Sequence, residues 1–253
     1  MKQVLQQVLV GCLLSTPLHA GMMQDKMSDM ATWQWLGQVS LGAAWSQPGD
    51  SQTFYLNPTI EKGYHATKNS KGMPNVEVFF GAQQSLDTPT LGQVSGQLGL
   101  VVATTGNANM NGIIWDNAEP QFNNYSYNYQ VRNTRIGLKG KALLEKNKKI
   151  FPYVSGSVNV GFNRASDFTN TPLTFTALPN ENFAGNTETA FTYTVGAGFQ
   201  TPLSRHIHAG IGYEFLDFGK SKLDRAPGQT LNSGLVANHL YTNGVLVNLT
   251  YMS

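Results

Sequence analysis

GIGYEFLDFG, residues 210–219, carries two rows of opposite character. Counting back by twos from Phe215 gives Tyr213, Ile211, Ala209 and Ile207, whereas the other row is Glu214, Gly212, Gly210, His208 and His206. A period of two marks a β-strand with two unlike faces. Whether the apolar row meets a protein core or lipid decides the fold.

The same alternation recurs along the chain. Residues 33–45 place Trp33, Trp35, Val39, Leu41, Ala43 and Trp45 in one row, and residues 75–83 place Val76, Val78, Phe80 and Ala82 in another. Val94, Leu98, Leu100 and Val102 follow, then Val154, Val158, Val160 and Phe162, then Phe191, Tyr193, Val195, Ala197 and Phe199, and finally Val245, Val247, Leu249 and Tyr251. In residues 125–144 the apolar parity inverts, from Tyr125, Tyr127, Tyr129 and Val131 to Ile136, Leu138, Ala142 and Leu144. A bulge near Asn133 is the expected cause. With residues 207–217 the count is eight strands.

Links between these strands alternate in length. Short ones lie at Asp87-Thr88-Pro89, at residues 146–149 and at Ser204-Arg205; residues 47–74, 106–121, 164–189 and 220–237 are long, rich in Asn, Thr, Gly and Pro, and read as loops. Short turns on one rim and long loops on the other are the pattern of outer-membrane barrels. Trp35 and Trp45 are ten residues apart, about 33 Å of strand, or about 25 Å of height at a tilt of ~40°. That equals the apolar band of such a barrel, about 25 Å between its aromatic girdles. Asp217 shares the parity of Tyr213 and Phe215, so the membrane is expected to end before it. An open sheet edge cannot persist in hydrocarbon. The expected fold is therefore all-β: an eight-stranded antiparallel up-and-down transmembrane β-barrel with four long extracellular loops and short periplasmic turns. Trp33, Trp35, Trp45, Tyr213, Phe215 and Tyr251 are the expected membrane girdle; Glu77, Arg135, Lys139 and Glu214, with Gln97 and Asn248, are the expected polar lumen. Eight strands leave an interior that side chains can fill, so a plugged lumen with paired charges is expected. Gly212→Ser is expected to be mild unless that lumen is crowded.

Composition agrees. Charged residues are 13%, 26 of 253 residues are Gly, and the net charge of +2 argues against a nucleic-acid partner. Residues 1–20 read as a secretory signal peptide ending at Ala20, residues 21–32 as a short periplasmic segment and residues 33–253 as the barrel. The only cysteine, Cys12, leaves with the signal, which excludes disulfides and thiol chemistry from the mature chain. The LVGC stretch at residues 9–12 comes too early for lipoprotein acylation, and NLT at Asn248 lies inside a strand.

Residues 212–219 (GYEFLDFG), the strand FPYVSGSVNVGF at residues 151–162, RIGLKGKALL at residues 135–144 and the alternating C-terminal strand together resemble the small Gram-negative outer-membrane β-barrel proteins, the opacity-protein and OmpA-membrane-domain-like group. The resemblance spans about the whole mature chain. It implies outer-membrane localisation, contact with outer-membrane lipid and lipopolysaccharide, and insertion by the barrel assembly machinery. Such barrels usually end on an aromatic residue; here Ser253 holds that place and Tyr251 stands one dyad earlier. The group often carries a peptidoglycan-binding domain after the barrel, but this sequence stops at strand eight, so no wall anchoring is expected.

Three arrangements of side chains bear on chemistry. His206 and His208 share a face as a metal pair would, but two ligands are too few, and no metal or cofactor is expected. A lipid A-modifying enzyme needs a nucleophile, a base and an orienting carboxylate, which do not assemble here, so no enzymatic activity is expected. Tyr125, Tyr127 and Tyr129, with Phe122, read as girdle and strand extension rather than as a binding platform. The expected function is structural and adhesive: a monomer presenting its loops to a host-surface ligand. The alternative is a narrow porin-like barrel that passes small apolar molecules or ions.

Overall fold

The computed structural model describes residues 33–47, 49–67, 71–88, 92–145, 149–175, 177 and 180–253. The leader expected at 1–20, the segment 21–32, Pro89 and residues 146–148 of the short links lie outside them. The strands are β1 (Gln34–Ser46), β2 (Gln52–Asn57), β3 (Ile60–Thr67), β4 (Gly72–Thr88), β5 (Gly92–Thr105), β6 (Ala108–Asp116), β7 (Asn123–Leu144), β8 (Phe151–Pro172), β9 (Asn186–Pro202), β10 (Ile207–Asp217), β11 (Ser221–Lys222), β12 (Val236–Ala237) and β13 (Tyr241–Met252). Eight of them close a ring: β1 pairs β4, then β5, β7, β8, β9, β10 and β13 follow, and β13 returns to β1, every pair antiparallel. Closure leaves the ring without an open edge, as hydrocarbon demands.

The faces are those of a barrel with its solvents reversed. Val195, Ile211 and Leu249 are 58%, 53% and 53% exposed on the outer wall, while Gln38, Glu77, Arg135, Thr194, Gln200 and Thr250 are buried inside. A water-facing wall of this breadth would far exceed the apolar patches soluble proteins tolerate. Lipid is the cover, and the protein is a transmembrane barrel. The start of β1 and the end of β13 share one rim with the β9–β10 turn, where Ser253 N–H donates to Trp35 O at 3.0 Å. At the β9–β10 turn the Ser204 hydroxyl accepts from the His206 and Ile207 N–H groups.

Two expectations need correction. The long segments are not simply loops. Residues 47–74 contain β2 and β3, residues 106–121 contain β6, residues 220–237 contain β11 and β12, and β8 continues to Pro172. β7 and β8 are 22 residues each, about twice the 9–11 a bilayer needs. Their outer halves pair with each other and extend the same sheet beyond the membrane: on the other side of β7, β6 pairs β7, β3 pairs β6 and β2 pairs β3. The free edge of β2 is covered by the β10–β13 segment, where Leu56 O accepts from the Thr230 and Leu231 N–H groups and Gln52 Oε1 accepts from Val236 N–H. A long edge left bare would invite strand addition.

Nor does a bulge at Asn133 explain the inverted parity. Tyr125, Tyr127, Tyr129, Val131, Asn133, Arg135, Lys139 and Lys141 lie buried on one continuous inner face of β7. What changes is the filling: polar within the membrane, apolar above it. The bulge sits in the partner strand, where the β7–β8 register shifts between Asn128 and Gln130 and Asp167 adopts φ 58°. It turns Phe168 inward.

Candidate functional site

Parity alone brings the lumen charges together. Glu77 on β4, Arg135 and Lys139 on β7 and Glu214 on β10 all point inward and are buried. Lys139 Nζ donates to Glu77 Oε1 and stands 3.5 Å from Glu214 Oε2. Arg135 Nη2 donates to Glu214 Oε1 at 3.4 Å, and Asn75 Nδ2 donates to the same oxygen at 3.4 Å. Lys141, whose inward parity the sequence reading passed over, donates to Gln200 Oε1 and, at 3.2 Å, to Gln38 Oε1; its ammonium lies 4.1 Å over the Tyr153 ring. Leu36, Phe79, Val101 and Met252 form an apolar cluster in the lumen, and Gln97 donates to Gln83 at 2.8 Å. Between Gln38, Lys141, Tyr153 and Asn248 a cavity of about 20 Å³ remains, room for about one water. The arrangement pairs charges and fills space.

Gly212 lies against this cavity. A Cβ there would sit 2.2 Å from Tyr153 Oη and 3.1 Å from Ala197 O. This is the crowding under which Gly212→Ser is not expected to be mild. The substitution is expected to lower the urea midpoint of the folded barrel by the equivalent of about 1–3 kcal/mol, and Tyr153→Phe in the same chain to return part of the loss. Equal midpoints for wild type and Gly212→Ser would show that the Tyr153 ring moves aside freely.

Above the membrane the interior becomes an aromatic core. Tyr64 and Phe54 stack at 5.2 Å, Tyr127 stacks on Phe168 at 5.9 Å, Phe168 meets Phe183 edge-on at 4.8 Å, and Tyr129 completes the group at 6.4 Å from Phe168. Burial pushes the phenol pKa of Tyr64, Tyr127 and Tyr129 up. Tyr125, Tyr127 and Tyr129 extend strand β7 as expected, but they are not a lipid girdle: they face inward, away from the bilayer. Phe122 alone of that group is exposed, in the short turn at Pro120–Phe122. Leu216, Phe218, Leu223 and Leu235 bring the β10–β13 segment into the same core. Its floor is polar: Asn133 Nδ2 donates to Asn163 Oδ1, whose own Nδ2 donates to Phe218 O and Lys220 O, all at 2.7 Å.

Asp217 has a role that its parity does not reveal. It is not a charge on the outer wall but is buried by the folded segment beyond β10. Its Oδ1 accepts from Gly219 N–H at 2.8 Å, where the chain turns through φ 70°, and Oδ2 lies 2.8 Å from His239 Nδ1.

At the outer margin a chain of rings runs Phe191, Tyr193, Phe215, Tyr241 and His239, with centroids 5.6–6.3 Å apart. Trp45 is exposed near this margin, and Tyr213, one dyad inward of Phe215, donates its hydroxyl to Asn243 Oδ1 at 2.5 Å. At the opposite margin Trp33, Trp35 and Tyr251 are exposed; Trp35 stacks on Phe80 at 5.8 Å and Tyr251 on His206 at 6.0 Å. The two histidines do not share a face. His206 precedes β10 and turns to Tyr251, whereas His208 reaches Gln200 Nε2 at 3.0 Å and the Phe151 ring. Among the described residues no group of three His, Cys, Asp or Glu side chains is placed to hold a metal ion.

No family model and no curated protein matches the chain. Among solved structures it is similar to Neisserial surface protein A, at 10% identity over 86% of this chain and 96% of that one, with a TM-score of 0.42. It is also similar to Ail, the attachment invasion locus protein of Yersinia pestis, at 11% identity, 87% and 99% coverage and a TM-score of 0.36. A third is the outer membrane protease OmpT from Escherichia coli, at 9% identity, 90% and 99% coverage and a TM-score of 0.47. One barrel architecture hosts many unrelated activities.

Proposed function

We propose that this outer-membrane barrel is a non-enzymatic surface-display protein whose membrane part is a filled anchor and whose outer sheet is a rigid adhesive head. The observation that carries the reading is the aromatic core above the bilayer. Tyr64, Tyr127, Tyr129, Phe168 and Phe183 hold segments that would otherwise be loose loops in one packed body, which lowers the ordering cost of binding a partner. The head has apolar tips fit for contact. Phe122, Leu173 and Phe175 are exposed at the outer end of β7 and β8, where Leu173 N–H donates to Asn124 O, and Tyr55, Ile60 and Leu231 are exposed around the β2–β3 hairpin.

The test uses bacteria displaying the protein on a cultured epithelial monolayer. Leu173→Asp/Phe175→Asp, which changes two exposed side chains, is expected to remove most of the attachment while leaving heat-modifiable migration of the barrel unchanged. Attachment equal to wild type would refute adhesion through this tip. Nanosiemens conductance of the purified protein in planar bilayers would favour the porin-like alternative.

A further inference from the structure

On the outer wall two arginines stand opposite each other on neighbouring strands. Arg132 on β7 and Arg164 on β8 are directly opposite in register, and both side chains are exposed. The next pair toward the membrane is Thr134 with Phe162, and Phe162 is the last exposed apolar residue before Arg164 on that face of β8. Two residues of strand are about 6.6 Å, or about 5 Å of height at the tilt of a barrel. Both arginine heads therefore lie in the headgroup layer of the outer leaflet.

Like charges directly opposite on a sheet repel, so the pair calls for a counter-charge. Among the described residues neither arginine makes an ion pair; Arg132 Nε donates to Asn107 Oδ1 at 3.0 Å. Lys220 and Lys222, by contrast, share the carboxylate of Glu188. Asp167 borders the same site, but its Oδ2 accepts from the Ser166 hydroxyl at 3.2 Å. Asn107, Arg132, Arg164, Ser166 and Asp167 together line a cleft of about 170 Å³.

We propose that Arg132 and Arg164 clamp the phosphate of a phosphorylated glycolipid of the outer leaflet. The chemistry fits: a guanidinium offers a planar fork that matches phosphate oxygens, and one dianion neutralises both forks. Asp167 leaves the cleft a net charge of +1, so a free phosphate gains little there. A lipid gains more, because its acyl chains run down the wall over Phe162, Val160 and Ile136, directly below the clamp.

The experiment is native mass spectrometry of the full chain in detergent micelles, with diphosphorylated lipid A, dephosphorylated lipid A and inorganic phosphate as probes. Arg132→Gln/Arg164→Gln is expected to weaken diphosphorylated lipid A binding at least about tenfold, to the level at which wild type holds the dephosphorylated form. Arg132→Lys/Arg164→Lys, which keeps the charge and loses the fork, is expected to fall between. Lys220→Gln/Lys222→Gln is expected to bind as wild type does, and inorganic phosphate in large excess is expected not to compete. Heat-modifiable migration checks that each variant is folded. Retained affinity in the double Gln variant, equal binding of the dephosphorylated lipid, or an equal loss in the lysine control overturns the clamp. Displacement by inorganic phosphate at matched concentration overturns the lipid as its ligand.

Discussion

Glu214→Ala is expected to cost the barrel about 3–5 kcal/mol, the penalty for breaking a buried ion pair by removing one partner. Arg135 is 1% exposed, and a guanidinium cannot shed its charge by deprotonation. Without Glu214 its remaining hydrogen bond is from Nη1 to Asn133 Oδ1 at 3.4 Å. Lys139 keeps Glu77, so the stranded charge is that of Arg135. Two companions separate this from simple loss of packing. Arg135→Leu/Glu214→Leu, which removes both charges, is expected to recover most of the stability, because a buried pair replaced by apolar groups is often neutral. Glu77→Ala is expected to cost less, since Lys139 then still has Glu214 at 3.5 Å. The measurement is urea unfolding in phospholipid vesicles, followed by the fluorescence of the rim tryptophans. A loss below about 1 kcal/mol for Glu214→Ala would mean that water screens the network and that the lumen is wetter than its packing implies.

The lumen was legible in the sequence because a strand has only two faces. Once Ile211 and Tyr213 are assigned to lipid, Glu214 must face inward, and the same rule places Glu77, Arg135 and Lys139 without any knowledge of contacts. It placed Lys141 too, though that residue was passed over. The outer core was not legible, for a reason that residues 125–144 make plain. An apolar row means lipid inside the membrane and protein core outside it, so the inversion between Val131 and Ile136 records the crossing of a boundary rather than a bulge. The stretch 213–218 repeats the signal: Tyr213 and Phe215 face out, Leu216 and Phe218 face in. The burial of Asp217 was not legible because it stands at that crossing, where alternation stops specifying a residue's surroundings. β2, β3 and β6 were missed because they lie inside long segments rich in Asn, Thr, Gly and Pro, although Phe54 and Leu56 on β2 and Met110 and Ile114 on β6 alternate as strand residues do. The arginine pair was invisible for another reason: Arg132 and Arg164 are 32 positions apart, and the β7–β8 register alone brings them face to face.

Phe168→Ala is expected to remove about 3–5 kcal/mol from the outer core, the usual loss for a large buried aromatic, while leaving the barrel folded. The ring contacts Tyr127, Tyr129 and Phe183, and the last two come from different segments, so its loss loosens the head from within. These contacts involve the outer halves of β7 and β8, above the part of the ring that spans the membrane. Unfolding is therefore expected to be local: limited proteolysis should cut the β8–β9 segment readily, while heat-modifiable migration and the urea midpoint of the barrel stay near wild type. The phenols give a second readout. Burial raises the pKa of Tyr64, Tyr127 and Tyr129 above the ordinary value of about 10. Each keeps its neutral form in the packed head, so its contribution is fully present below the unfolded pKa and is lost as pH rises from about 10 toward the raised value. Wild-type tyrosinate absorbance should lag that of the unfolded chain above pH about 10, and Phe168→Ala should narrow the lag. Phe162→Ala, which trims an exposed ring on the lipid side of the same strand, should leave it unchanged. If the barrel midpoint falls together with the head in Phe168→Ala, the two parts fold as one unit. The head would then be part of the membrane anchor rather than a separately stable platform standing on it.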